Sequence, residues 1–201
     1  MTKFLQIPTL HQATQLMDEA EKLNPGPWVQ HSIYAAQAAE AIASRHPDLN
    51  PSRAYILGYL HDIGRRAGVT DMRHSVDGYN YLMGINFDDA ARICITHSFP
   101  IKAMTVGERE WDGSAEEFIF VKDFLFNIEY TAYDKLIQLC DTITLPGGFC
   151  IIEKRFVDVA LRRGITEFTL AKWKAFLSLK DEFEQIIGCS IYEVLPGEIL
   201  N

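Results

Sequence analysis

The chain has few of the residues from which disulfide-stapled, redox or repetitive domains are built. No Cys-x-x-Cys pair occurs among its four cysteines, which are Cys94, Cys140, Cys150 and Cys189. The sequence therefore offers neither a zinc-knuckle nor a thioredoxin-type motif. Eight Pro and 13 Gly in 201 residues are too few for collagen-like or low-complexity chains. We expect the cysteines to be reduced and mostly packed in the interior.

Positive charge and long apolar runs are also scarce. Nineteen Lys and Arg stand against 27 Asp and Glu, so the net charge is −8, and general binding to nucleic-acid backbones is not expected. The most apolar windows, FIFVKDFLF and YILGYL, are too short to span a bilayer, and the first residues lack the pattern of a leader peptide. The sequence predicts a cytoplasmic protein that does not bind membranes, in which an acidic substrate would need a local basic site.

Strict alternation of polar and apolar residues is nearly absent, whereas apolar residues three and four apart are common, so the sequence predicts an all-α protein. Turn and capping residues place the helices at 9–23, 29–45, 51–66, 73–83, 87–97, 114–127, 131–144, 152–163 and 169–187. No long polar linker divides them, which predicts a single domain over 1–201 with its core at about 28–163. The flanking helices 9–23 and 169–187 either complete this core or serve a homodimer.

Histidines are few, six in all, but four of them fall on separate predicted helices in the first half of the chain: His31, His61, His74 and His97. Each of these helices also has an apolar face, so the four side chains can meet in a buried site. A single histidine on such a face is more often a satisfied core or surface residue than a ligand. The joint pattern favours a shared site.

Two carboxylates interrupt apolar helical stretches. His61 and Asp62 break the apolar run of YLHDIGRR, and Asp141 is the only charge in LIQLCDTITL. An unpaired ionised Asp is very costly to bury, so each carboxylate needs an Arg or a cation as its partner. The histidine beside Asp62 favours the cation.

In chain order, His31, His61, Asp62 and Asp141 read H…HD…D, within the local sequences QHSIYAAQAAEA, HDIGR and LCDTI. In these features, over about residues 30–160, the chain resembles the HD-domain superfamily of helical metal-dependent phosphohydrolases. The resemblance implies an HD-type helical bundle in which these four residues hold a divalent metal, which is Fe, Mn, Ni, Zn or Mg. It also implies that a metal-activated hydroxide attacks phosphorus.

His74 and His97 extend the order to H…HD…H…H…D, which resembles the subset of the superfamily that holds two metals. The resemblance then implies that Asp62 bridges the ions. One metal takes the four ligands already named, and the other takes Asp62, His74 and His97. The competing interpretation is that His74 and His97 only line the pocket and bind phosphate.

Basic residues near the motif are candidates for binding a phosphate. Arg65 and Arg66 follow Asp62 by three and four residues, so one or both would project from the same helical face. The alternative is that they only favour the C-terminal dipole of their helix. Lys102 is a weaker substrate-binding candidate in the segment 98–113, which we expect to cross the pocket mouth as a lid. Asp62 and Arg65 are the predicted catalytic residues.

The leading hypothesis is a phosphohydrolase that cleaves a phosphomonoester, phosphodiester or phosphoanhydride bond of a small, nucleotide-like substrate. A di-iron oxygenase of the same superfamily uses a similar ligand set, and an HD fold can also bind a nucleotide without turnover. Arg65 and Arg66 favour hydrolysis over oxygenation. The complete ligand set argues against a non-catalytic module.

Overall fold

A computed structural model describes residues 6–102, 104 and 111–200 of the chain, and within them helices predominate. The α-helices are α1 (Leu10–Leu23), α2 (Pro27–Ala43), α3 (Pro51–Leu60), α4 (His74–Gly84), α5 (Asp88–Thr96), α6 (Ala115–Asn127), α7 (Ala132–Thr142), α8 (Ile152–Arg163), α9 (Thr169–Ile187) and α10 (Ile191–Val194). The predicted all-α class is confirmed. No helix in the described ranges is long and apolar enough to cross a membrane.

Three very short strands form a small sheet that the sequence did not predict. They are β1 (Thr144–Leu145), β2 (Gly148–Cys150) and β3 (Ile199–Leu200). β1 and β2 pair antiparallel around a turn at 146–147, and β2 pairs parallel with β3. Because Pro146 and Gly147 favour a tight turn, the helix predicted over 131–144 ends at Thr142 and the chain enters this hairpin.

Helices α2 and α3 pack closely because both present small residues at their contact. A Cβ atom added at Gly58 would lie 2.9 Å from Ala36 Cα and 3.0 Å from the Ala35 carbonyl oxygen. Only glycine permits this approach of the two backbones. The approach brings the rings of His31 and His61 to a centroid distance of 5.3 Å.

The predicted helix over 51–66 is wrong beyond Leu60. There α3 ends, Asp62 adopts φ −102° and ψ 12°, and residues Ile63–Ala67 form a tighter 3-10 helix. A Cβ atom at Gly64 would lie 1.9 Å from the His74 carbonyl oxygen and 2.4 Å from the Gly78 nitrogen. The turn therefore lies directly against the backbone of α4, at a distance that leaves no room for a side chain at residue 64.

The flanking helices contribute to the same apolar core as the central ones. Helix α1 buries Ala13, Met17 and Ala20, and α9 buries Phe183. A second, smaller cluster joins Val121 and other residues of α6 to apolar side chains of α4 and α5. The single domain over residues 1–201 stays a prediction.

Candidate metal centre

The six predicted ligands lie in five α-helices or at their ends. Three of them lie within helices, and the other three lie at or just after the C-terminal end of a helix. In chain order they are His31 of α2, His61 at the end of α3, Asp62, His74 at the start of α4, His97 at the end of α5 and Asp141 of α7. The fold brings all six side chains together.

The first group matches the H…HD…D order. The ligand atoms of His31, His61 and Asp62 all lie within 4.8 Å of one another. Asp141 Oδ1 lies 2.8 Å from His31 Nε2 and 3.7 Å from His61 Nε2. His31, His61 and Asp62 are therefore close enough together to hold one ion, and Asp141 lies beside two of them although it is 110 positions from His31 in the sequence.

The second group shares Asp62 with the first. The ligand atoms of Asp62, His74 and His97 also lie within 4.8 Å of one another. Asp62 Oδ1 is 3.1 Å from His74 Nε2 and 3.6 Å from His97 Nε2. Asp62 thus belongs to both triads. The resemblance to two-metal relatives implies this arrangement for a carboxylate that bridges two ions.

Backbone carbonyls orient three of the imidazoles. Because a carbonyl oxygen can only accept, the facing Nδ1 atom carries the proton, and in the neutral ring Nε2 presents its lone pair. Such contacts are typical of metal-binding histidines. The Nδ1 atom of His61 donates to Gly58 at 2.6 Å, that of His74 donates to Asp71, and that of His97 donates to Ile93 at 3.0 Å.

The resulting centre fits a metal. His74 Nε2 and His97 Nε2 lie 3.3 Å apart, so two lone pairs face each other when both rings are neutral. His61 Nε2 and Asp62 Oδ1 are buried atoms for which the described part of the chain supplies no hydrogen-bond partner. Unsatisfied buried polar atoms are costly, and a cation among them removes that cost. Imidazole nitrogens with carboxylate oxygens form a donor set that suits divalent transition metals.

Both carboxylates are in the form that binds metals. Burial alone would raise the pKa of Asp62, but the Arg65 guanidinium and the adjacent histidines outweigh it and hold this pKa well below its usual range. Burial also acts to raise the pKa of Asp141, but the contacts of this carboxylate with His31 and His61 outweigh it and hold the pKa well below the usual range. The two groups are therefore ionised at neutral pH.

The imidazoles differ in their affinity for protons. Burial and the neighbouring His61 lower the pKa of His97 to about 3, so this ring is neutral and its lone pair is available. Burial acts to lower the pKa of His61, but Asp62 and Asp141 raise it above the ordinary value. A cation bound at His61 replaces a proton there, because metal ligands must be deprotonated.

Of the three basic residues predicted to bind phosphate, Arg65 contacts the centre. Its Nε donates to Asp62 Oδ2 at 2.6 Å, and the side chain keeps 23% of its surface exposed. The Arg66 guanidinium instead lies over the Tyr81 ring, 3.8 Å from its centroid. The 3-10 turn explains this difference, since residues three apart share a face in such a helix and residues four apart do not.

Lys102 points elsewhere. Its ammonium group lies 3.1 Å from the Glu129 carboxylate and is exposed to solvent. The lid predicted over 98–113 includes 103 and 105–110, which lie outside the described residues, so the lid stays a prediction. Asp112 at the end of that segment accepts hydrogen bonds from the backbone nitrogens of Asp71 and Arg73, at 2.6 and 2.7 Å.

A cavity of about 140 Å³ opens beside the centre and is lined by His97 and Asp141. Its wall includes three cations that the sequence did not single out, which are Arg155, Arg163 and Lys172. A signal was present in α8, where Arg155, Val159 and Arg163 recur every four residues and so share one helical face. Nothing in the local sequence indicated that this face covers the centre.

Comparison with known proteins identifies the family. No curated protein and no solved structure matches the chain significantly. The family model of the HD domain matches residues 28–144, which is more than half of the chain and includes every residue of the centre from His31 to Asp141. The chain therefore belongs to the HD-domain family, whose members are mostly metal-dependent phosphohydrolases.

Proposed function

We propose that this protein is a metal-dependent phosphohydrolase that cleaves a phosphate ester or anhydride bond of a small, nucleotide-like molecule. The observation that carries the proposal is the pair of histidine triads that share Asp62 at the side of a cavity. Membership of the HD-domain family supports the same chemistry.

Two divalent ions are proposed, with Fe, Mn, Ni, Zn and Mg as the candidates. His31, His61, Asp62 and Asp141 would hold the first ion. Asp62, His74 and His97 would hold the second. When bound, such ions activate water and neutralise the charge that develops on the phosphoryl oxygens.

Arg65 serves two groups in this proposal. Its Nε fixes Asp62 Oδ2 at 2.6 Å, and one Nη lies 3.5 Å from the Thr70 carbonyl oxygen. A guanidinium has five N–H donors in a planar fork, so further donors can reach a phosphate oxygen. Arg65 thereby orients the shared carboxylate and binds the phosphate beside the metals.

The first experiment measures metal content and phosphate release in one preparation. We expect elemental analysis to find about two metals per chain, as in binuclear hydrolases. We also expect phosphate release from a panel of nucleotides and p-nitrophenyl phosphate that is assayed with Mn, Fe, Ni and Mg. His61→Ala removes an imidazole that is buried in the first triad, and it should lose metal and turnover together. His11→Ala, in an exposed position of α1, is the matched control and should behave as the wild type.

Three other outcomes contradict the proposal. Two irons with oxygen uptake, and with no phosphate released from any ester or anhydride, would identify an oxygenase. Neither metal nor turnover would identify a binding module. Wild-type activity in His61→Ala would show that the reaction takes place at another site.

A further inference from the structure

Part of the cavity wall comes from helices that follow the HD motif in the chain. Arg155 and Arg163 of α8 and Lys172 of α9 line the same cavity as His97 and Asp141. These two helices follow residue 144, at which the match to the family model ends. The chain thus adds its own wall of side chains to the shared metal centre.

This wall is cationic in a protein of net charge −8. Among the described residues that line the cavity are three basic side chains and one carboxylate, that of Asp141. Arg155 also lies 3.6 Å from Asp158, and Arg163 lies 3.2 Å from Asp71. Neither of these partners lines the cavity itself. A concave surface with charges of one sign raises the local concentration of anions.

The same wall is also aromatic. The rings of Phe156 and Trp173 are stacked, with centroids 5.1 Å apart and an interplanar angle of 3°. Trp111 and Phe118 line the cavity as well and meet edge to face at 5.6 Å. Flat apolar surfaces of this kind accept planar rings, so the cavity offers both an anion site and a ring site.

We propose that Arg155, Arg163 and Lys172 form a subsite for a second phosphate group of the substrate. This proposal rests on the proposed hydrolase function. The substrate is then an organic phosphate with a planar ring and two phosphate groups, one at the metal centre and one at α8 and α9. Two guanidinium groups and one ammonium group match the charge and the oxygen atoms of a phosphate. These three residues determine which substrate binds, whereas the HD residues hold the metals at which the reaction takes place.

Binding of adenosine nucleotides to the metal-loaded protein tests the subsite. We expect calorimetry to show that ADP or adenosine 3′,5′-bisphosphate binds at least about tenfold more tightly than AMP, since hydrogen bonds to charged groups contribute strongly. Lys172→Gln and Arg155→Gln should each remove most of this advantage. Lys174→Gln is the matched control, because Lys174 is exposed on the same helix two residues away, and it should retain the advantage.

Kinetics provide an independent readout. p-Nitrophenyl phosphate carries one phosphate, so Lys172→Gln should raise the inhibition constant of ADP against it about tenfold more than it raises the KM of p-nitrophenyl phosphate itself. Equal binding of AMP and both two-phosphate nucleotides, or an advantage that survives both substitutions, would overturn the subsite. Absence of phosphate release from any compound, with the Lys172-dependent binding intact, would instead overturn the hydrolase function.

Discussion

At the scale of single residues, the centre depends on how each imidazole is held. Carbonyl acceptors fix the Nδ1 proton of three histidines, which leaves Nε2 directed at Asp62 or its neighbours. The two carboxylates were predicted because an ionised group inside an apolar helix needs a partner, and the four histidines were predicted because they lie on separate helices in the order of the HD motif. The backbone acceptors were not, since any residue supplies a carbonyl.

Removal of one second-group ligand separates the two proposed metals. We expect His74→Ala to retain one metal per chain and to lose most of the phosphate release, because His31, His61 and Asp141 remain in place while Asp62 loses the imidazole 3.1 Å away. Elemental analysis of the purified variant measures this directly. Two metals at full occupancy would show that His74 only lines the pocket.

Asp112 acts on His74 through the backbone. Its two carboxylate oxygens accept from the nitrogens of Asp71 and Arg73, and the Asp71 carbonyl accepts from His74 Nδ1. We expect Asp112→Ala to weaken binding of the second metal by about 10-fold or more, as loss of such supporting contacts does. Calorimetric titration with Mn measures the two affinities.

Asp112→Asn keeps one side-chain oxygen that can accept a hydrogen bond. This variant should therefore bind the second metal more tightly than Asp112→Ala does. Asp123→Ala removes an exposed carboxylate of α6 and should leave both affinities unchanged. An unchanged second affinity in Asp112→Ala would mean that the loop before His74 holds its shape without this side chain.

At the scale of elements, the turn after α3 decides which side chains meet. The sequence predicted a helix through this region, because Gly64 gives no local sign that α4 will contact it. The 3-10 turn places Asp62 and Arg65 on one face and directs Arg66 to Tyr81. Helix positions were therefore predictable from periodicity and caps, whereas the break was set by a tertiary contact.

Gly64→Ala tests the close approach. The added Cβ would meet the backbone of His74 and Gly78, neither of which can rotate away, so we expect the free energy of unfolding to fall by about 3 kcal/mol. Metal binding should weaken too, because His74 must move. Urea denaturation and metal titration measure the two effects.

Gly84→Ala is the control for Gly64→Ala. Gly84 ends α4, and an added Cβ there would find open space. Alanine in a helix is favoured over glycine by roughly 0.5–1 kcal/mol, so this variant should be as stable as the wild type or slightly more stable. Equal stability of both variants would show that the turn at Gly64 tolerates a side chain.

At the scale of the whole molecule, an acidic chain concentrates positive charge in one cavity. Composition predicted that an acidic substrate would need a local basic site, and the residues near the motif placed that site at Arg65, Arg66 and Lys102. The fold adds Arg155 and Lys172 from helices that lie far along the chain. Such long-range placement follows from the packing of α8 and α9 against the core, which the local pattern of α8 does not encode.

The central claim is a pair of metals that share Asp62, and anomalous diffraction from crystals grown with Mn tests it most directly. We predict two anomalous peaks on opposite sides of the Asp62 carboxylate, roughly 3.5–4 Å apart as in binuclear hydrolases, one beside His31, His61 and Asp141 and the other beside His74 and His97. A single peak, or peaks away from Asp62, would contradict the binuclear centre.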